Sequence, residues 1–148
     1  MLVYAEFKDW ENKVLDKAAT ELGVLDRCVQ LSSVHDFAPD GTHPDVSHDK
    51  PICPSVLFLN MAPDEDRWRA SLAHLRDHAV LGGIPTVGLG SVASHEVSEA
   101  YDLGISSYIR KPETFDEILH TAKVCLNYWL NHTQLPAIFL REKFAIFR

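Results

Sequence analysis

The 148-residue sequence predicts an α/β domain built on a five-stranded parallel sheet. Two observations carry this. Short apolar runs of strand length alternate with amphipathic helical stretches along the chain, and Val56-Leu57-Phe58-Leu59 is continuously apolar, as a strand buried on both faces must be. A third concerns chemistry: Glu6, Asn60, Gly90 and Lys111 each fall where such a run ends, and parallel sheets place their ligands beyond those ends.

Leu2 to Phe7 has strand length, and the stripe Trp10, Val14, Ala18 and Leu22, closed by Gly23, predicts a helix after it. Cys28 to Leu31 reads as a second strand. Ser32 to Pro51 is polar and aperiodic, so it is expected to be mostly loop. After the Val56–Leu59 strand, Pro63 with Asp64, Glu65 and Asp66 suits a helix start, and Trp68, Leu72, Leu75 and Ala79 supply its apolar stripe up to Gly82-Gly83. Ile84 to Leu89 is the fourth strand. A shorter helix from about Ser94 to Leu103 is capped by Gly104, and Tyr108-Ile109-Arg110 forms the fifth strand. Thr114 and Glu117 make a capping box before Phe115, Ile118, Leu119, Ala122, Leu126 and Trp129, a helix expected to run to about Asn131.

Composition narrows the function. At 46% apolar, the chain suits one core. A net charge of -7, with 14 basic residues against 21 acidic ones, leaves no basic stripe to neutralise phosphates, which argues against nucleic acid and for protein partners. Cys28, Cys53 and Cys125 are odd in number and without CxxC spacing, as in a reducing compartment. No apolar stretch reaches the roughly 20 residues that span a bilayer, and the start MLVYAEFKDWE has no basic leader or cleavage site, so a cytoplasmic location is expected.

Three blocks resemble the signature segments of response-regulator receiver domains: Pro54 to Pro63, Ile84 to Ser91, and Ala100-Tyr101-Asp102-Leu103-Gly104 through Ser107-Tyr108-Ile109-Arg110-Lys111-Pro112. The chain is most similar to small stand-alone regulators of the phytochrome-associated type, because a helix ending Asn127-Tyr128-Trp129-Leu130 and then Leu135-Pro136 follow Lys111-Pro112. The resemblance covers about residues 1–136. It implies a flavodoxin-like, CheY-like doubly wound sheet of order 2-1-3-4-5, with residues 137–148 as an apolar extension.

The resemblance also implies a phosphorylation pocket. In that family a carboxylate ending the third strand accepts phosphorus, two acids after the first strand hold Mg²⁺, a hydroxyl follows the fourth strand, and a lysine pairs with the phosphoryl oxygens. Here the acceptor position carries Asn60, the acid pair is Glu6-Phe7, and the hydroxyl position carries Gly90, with Ser91 adjacent. The loop from Asn60 to Pro63 is one residue short of the family spacing. Lys111 and Tyr108 match. The pocket is therefore expected to be degenerate, with no catalytic residue, metal or cofactor. Lys111 is expected to pair with Glu6, Asn60 to be either a hydrogen-bonding strand terminus or a mimic of a locked state, and Tyr108 to be a fixed surface residue.

Function would then lie in surfaces. The face that the family builds from its fourth helix, fifth strand and fifth helix includes Tyr101, Tyr108, Tyr128 and Trp129 here, although Trp129 also continues a core stripe. Ile138, Phe139, Leu140, Phe144, Ile146 and Phe147 crowd the last twelve residues, which should pack on the domain or complete a partner, most simply a homodimer. The expected function is that of a pseudo-receiver: an interaction module, not an enzyme, binding a sensor histidine kinase or signalling target. Two alternatives stand beside it. One is an active receiver phosphorylated at a non-standard carboxylate, Asp64 or Asp66 being nearest; the other is a flavodoxin-like ligand binder or enzyme. No nucleophile elbow occurs, and Gly88-x-Gly90 is too short for a dinucleotide fingerprint. His35, Asp36, Asp40, His43, Asp45, His48 and Asp49 are metal-ligand types, but their spacing reads better as a solvated loop. His74 and His78 stand at i, i+4 on the second long helix, a geometry able to chelate, but Leu75 and Ala79 define a neighbouring buried face and the pair is expected to be solvent-exposed.

Overall fold

The computed structural model describes residues 1–43, 52–63 and 65–135. Strands β1 (Leu2–Ala5), β2 (Cys28–Leu31), β3 (Val56–Met61), β4 (Thr86–Gly90) and β5 (Ser107–Arg110) form one parallel sheet in the order β2-β1-β3-β4-β5. Helices α1 (Asp9–Glu21), α2 (Arg67–Asp77), α3 (Ser94–Asp102) and α4 (Phe115–Asn127) cover its faces. Between β2 and β3 the described residues hold a short 3₁₀ turn, Val34–Asp36, and one isolated bridge, His43 to Ile52, and are otherwise irregular, as the aperiodic, proline-interrupted sequence there predicts.

Strand alternation divides the core in two. Val3, Ala5, Leu57, Leu59 and Met61 meet Trp68, Leu72 and Leu75 of α2 and Ala100 of α3. Leu2, Tyr4, Phe58, Val87 and Leu89 meet Leu15 and Ala18 of α1 and Ala122 and Leu126 of α4. All six residues of β3 are buried, so this strand separates the two layers and carries Asn60 to the upper rim of the sheet.

Several boundaries differ from the sequence expectation for identifiable reasons. β1 stops at Ala5 because Glu6 takes a left-handed backbone, φ +67°. The inward stripe of α1 is Glu11, Val14, Leu15, Ala18 and Ala19, while Trp10, expected inside, is 50% exposed. α2 begins at Arg67 rather than at Pro63; its first residue reaches back to Glu6 and to the Ser32 carbonyl. α4 gives way at Asn127 to a wider turn of π type, Tyr128–His132, where Arg27 donates to the Leu130 carbonyl (2.8 Å) and to Asn131 Oδ1 (3.2 Å). Thr114 caps α4 as expected, its hydroxyl accepting from Glu117 N.

His78 lies beyond the last turn of α2 with extended ψ, so it does not form a chelating i, i+4 pair with His74. Its Nδ1 accepts from Val80 N and Leu81 N, and Nε2 faces the Ala38 carbonyl. His74 stacks at 4.5 Å on His35 and has His78 at 6.3 Å, with its Nε2 buried and without a hydrogen-bond partner. Burial, and then the neighbouring His35 and His78, hold its pKa below the ordinary 6.5, against the weaker pull of Asp77. The folded state thus binds fewer protons at His74 than the unfolded chain. Stability is expected to be full above pH 6.5 and to fall as the pH drops through that value toward the folded pKa. Urea melts from pH 7 to 5 test this, and His74→Gln should flatten the slope.

Candidate functional site

The upper rim gathers the ends of β1, β3, β4 and β5. Asn60 is almost completely buried there, and both ends of its amide are engaged: Nδ2 donates to the Glu6 carbonyl at 3.0 Å, and Oδ1 accepts from Lys111 Nζ. Lys111 also donates to Glu11 Oε2, and Glu11 Oε1 accepts from Lys8 N at 3.0 Å, the return half of a capping box at the start of α1. The Lys111 ammonium lies 5.4 Å from the Phe7 ring centroid. The backbone of Lys111 is fixed as well, its N–H donating to the Gly90 carbonyl at 2.8 Å. Lysine, carboxylate and amide thus neutralise and satisfy one another, with side-chain exposures of only 19% and 7% for the ion pair.

The expected pairing of Lys111 with Glu6 does not occur. Residues 2 and 4 face the layer of α1 and α4, and Glu6 would be next in that alternation, but its left-handed φ turns the carboxylate to the opposite layer. There it accepts from Ser71 Oγ at 2.8 Å and from Val34 N at 3.2 Å, and it pairs with Arg67 Nε at 3.3 Å. Glu11, Arg67 and Ser71 were therefore missed by sequence reasoning. Glu11 was legible only as a capping residue, because Lys8-x-x-Glu11 has the spacing of a cap and no register places α1 over Lys111.

Gly90 answers to packing. A Cβ there would sit 2.1 Å from the Met61 carbonyl oxygen, since Met61 and Gly90 are register partners in the sheet. No hydroxyl-bearing residue fits that position without parting β3 from β4. The next residue, Ser91, lines an open cleft of about 560 Å³ with Lys8, Trp10, Glu11, Asn60 and Lys111.

Tyr108, expected at the surface, is half-buried against the core beside α2 and α3. Its hydroxyl accepts from Val92 N at 3.1 Å, and burial raises its pKa. Arg110 donates to the Val92 carbonyl, so β5 pins the loop that carries Ser91. Tyr101 and Tyr128 are about half exposed; Tyr128 meets Trp129 edge to face at 5.2 Å, and Trp129 packs partly into the core. In the histidine and aspartate segment, Asp40 accepts from Thr42 N and Oγ1, which holds its carboxyl low, and His43 bridges to Ile52. Asp45, His48 and Asp49 lie outside the described residues, as do Asp64 and the segment 137–148. Among the described residues no three ligand side chains cluster as a metal site would require.

No family model and no curated protein matches the sequence. Solved structures do match. The phosphorylated cyanobacterial phytochrome response regulator RcpA superposes with a TM-score of 0.74 at 19% identity, over 92% of this chain and 98% of its own. The fold is that of a response-regulator receiver domain. The Mn²⁺-bound form of response regulator Rcp1 gives 0.72 at 18% identity over 92% and 98% of the two chains. A response regulator in red light signaling of R. palustris gives 0.70 at 18% over 92% and 97%. With the receiver fold in place, Asn60, Gly90 and Lys111 stand at the ends of the three central and outer strands on which the sequence resemblance rested.

Removing one partner of the rim ion pair leaves the other buried and uncompensated. Glu11→Gln and Lys111→Met are each expected to lower stability by about 1–3 kcal/mol. The double variant Glu11→Leu/Lys111→Met should regain most of that loss, as a double-mutant cycle in urea would measure.

Proposed function

We propose that this chain is a pseudo-receiver that acts in two-component signalling by phosphorylation-independent binding to a protein partner. One observation carries the reading: where an acceptor carboxylate and a free lysine are needed, Asn60, Lys111 and Glu11 form a closed, mutually satisfied set. An amide cannot form an acyl phosphate, and a lysine already neutralised by Glu11 offers less charge to an incoming phosphoryl group. Metal binding is disfavoured too, because Glu6 is held by Arg67 and Ser71 and the neighbouring position is Phe7. RcpA is described in a phosphorylated form and Rcp1 with Mn²⁺; neither property is carried over to this chain.

The same geometry weighs against the alternatives. Asp66 is solvent-exposed and paired with Arg69 at the start of α2, and it forms no contact with Lys111. A flavodoxin-like ligand site would need donors free to meet a ligand, and the rim donors are occupied. The binding surface is the face of α3, β5 and α4, where Tyr101 and Tyr128 offer exposed aromatic anchors to a sensor histidine kinase or signalling target. A second copy of the chain is the simplest further partner. The negative net charge argues against a nucleic-acid role, no helix among the described residues can cross a membrane, and the location proposed is cytoplasmic.

Intact-protein mass after incubation with Mg²⁺ and a small-molecule phosphodonor tests this. We expect no phosphoryl adduct on the natural chain, and none on Asn60→Asp, because that variant restores the nucleophile and leaves Glu6 turned away. An adduct on the natural chain would sink the reading; one on Asn60→Asp alone would place the defect wholly at the acceptor.

A further inference from the structure

We propose that Lys111 and Asn60 condense, within the folded chain, into an isopeptide bond between Lys111 Nζ and Asn60 Cγ, with Glu11 moving the protons and ammonium lost. The amine, the carboxamide and the carboxylate that this step requires meet in one contact set: Lys111 Nζ donates to Asn60 Oδ1 and to Glu11 Oε2. An amine bonded to a carboxamide oxygen lies one atom short of the carbonyl carbon it attacks. Each group is also held from a second side. Asn60 Nδ2 donates to the Glu6 carbonyl at 3.0 Å, Glu11 Oε1 accepts from Lys8 N at 3.0 Å, and Lys111 N donates to the Gly90 carbonyl at 2.8 Å. Reactants fixed in this way act at an effective concentration of up to about 10⁵–10⁸ M, and an unactivated amide needs such a gain.

Glu11 accepts one proton from the Lys111 ammonium, which frees the Nζ lone pair to attack Asn60 Cγ. The Nζ–Cγ bond forms. A second Nζ proton, and then the proton held by Glu11, pass to Nδ2; the Cγ–Nδ2 bond breaks, and ammonium departs with the charge that Lys111 carried. Glu11 ends as the carboxylate it began as, and no oxidant, reductant or co-reactant takes part. The surroundings suit the step. Phe7, Val14, Leu89 and Ile109 line a small apolar cavity of about 30 Å³ with Glu11 and Lys111, so one wall of the set excludes water. On the other side the open cleft, lined by the same Glu11 and Lys111 and by Asn60, gives ammonium an exit.

The bond ties β3 to the residue that follows β5, across β4, which lies between them in the sheet. It turns the mutually satisfied set into a permanent clasp and takes the cation out of the cleft. The inference rests on the rim contacts and not on the function proposed above: a chain of full mass that still takes no phosphoryl group loses the bond and keeps the pseudo-receiver reading. The urea cycle on Glu11 and Lys111 refers to the chain before the bond forms.

Intact mass of the full chain, measured in denaturant, tests it. The natural chain should weigh about 17 Da less than its sequence, one ammonia lost, and a protease digest should contain the Asn60 and Lys111 peptides joined. Lys111→Arg keeps a cation beside Glu11 and Asn60 but offers no amine, and it should show its full sequence mass; Glu11→Gln should do the same. Should a variant fail to fold, the joined peptides of the natural chain still decide, because fragmentation places the link at the two side chains. Full sequence mass on the natural chain overturns the proposal. So does a deficit that survives Lys111→Arg, since the ammonia then comes from another amide. A deficit that survives in a folded Glu11→Gln chain overturns the assignment of Glu11.

Discussion

The left-handed backbone at Glu6 is the constraint on which the rim of the sheet depends. A non-glycine residue at φ +67° costs about 1–3 kcal/mol, and it persists because the turn does two things at once. It delivers the Glu6 carboxylate to Ser71, Val34 N and Arg67, joining β1 to α2 and to the turn after β2. It also aims the Glu6 carbonyl at Asn60 Nδ2, which fixes the amide so that its oxygen meets Lys111. Charge-assisted hydrogen bonds of this kind contribute about 1.5–3 kcal/mol each, enough to offset the strain.

Two carboxylates near one rim therefore have separate roles because they lie on opposite sides of the sheet. Glu6 is sequestered with α2, and Glu11, brought in by α1, is the acid that Lys111 meets. The receiver fold is shared with RcpA at 19% identity over 92% of this chain; what the rim can do chemically is set by a handful of side chains. With an amide at position 60 and no space for a Cβ at position 90, the cleft is held by internal contacts, and the function proposed rests on the face carrying Tyr101 and Tyr128.

Much of this was legible in advance. Val56–Leu59 announced the central strand, Thr114 the start of α4, and Gly104 the end of α3, because each depends on local periodicity or backbone chemistry. Errors arose where a distant residue set the boundary. Arg67 starts α2 by reaching Glu6, Arg27 holds the turn that ends α4, and Tyr108 is drawn inward by Val92 N. Trp10 looked like part of a buried stripe until the stripe proved to be centred on Val14 and Leu15, with Trp10 left over the cleft.

The sequence by itself determined the parallel sheet, the identity of the residues at its strand ends and the amide side chain at position 60, since these follow from periodicity and residue type. Only the tertiary structure decided which acid pairs with Lys111, why position 90 must be glycine, and where Tyr108 points. Those outcomes depend on strand register, on a helix laid across the rim and on one backbone dihedral, and each joins residues between 16 and 100 positions apart in the chain.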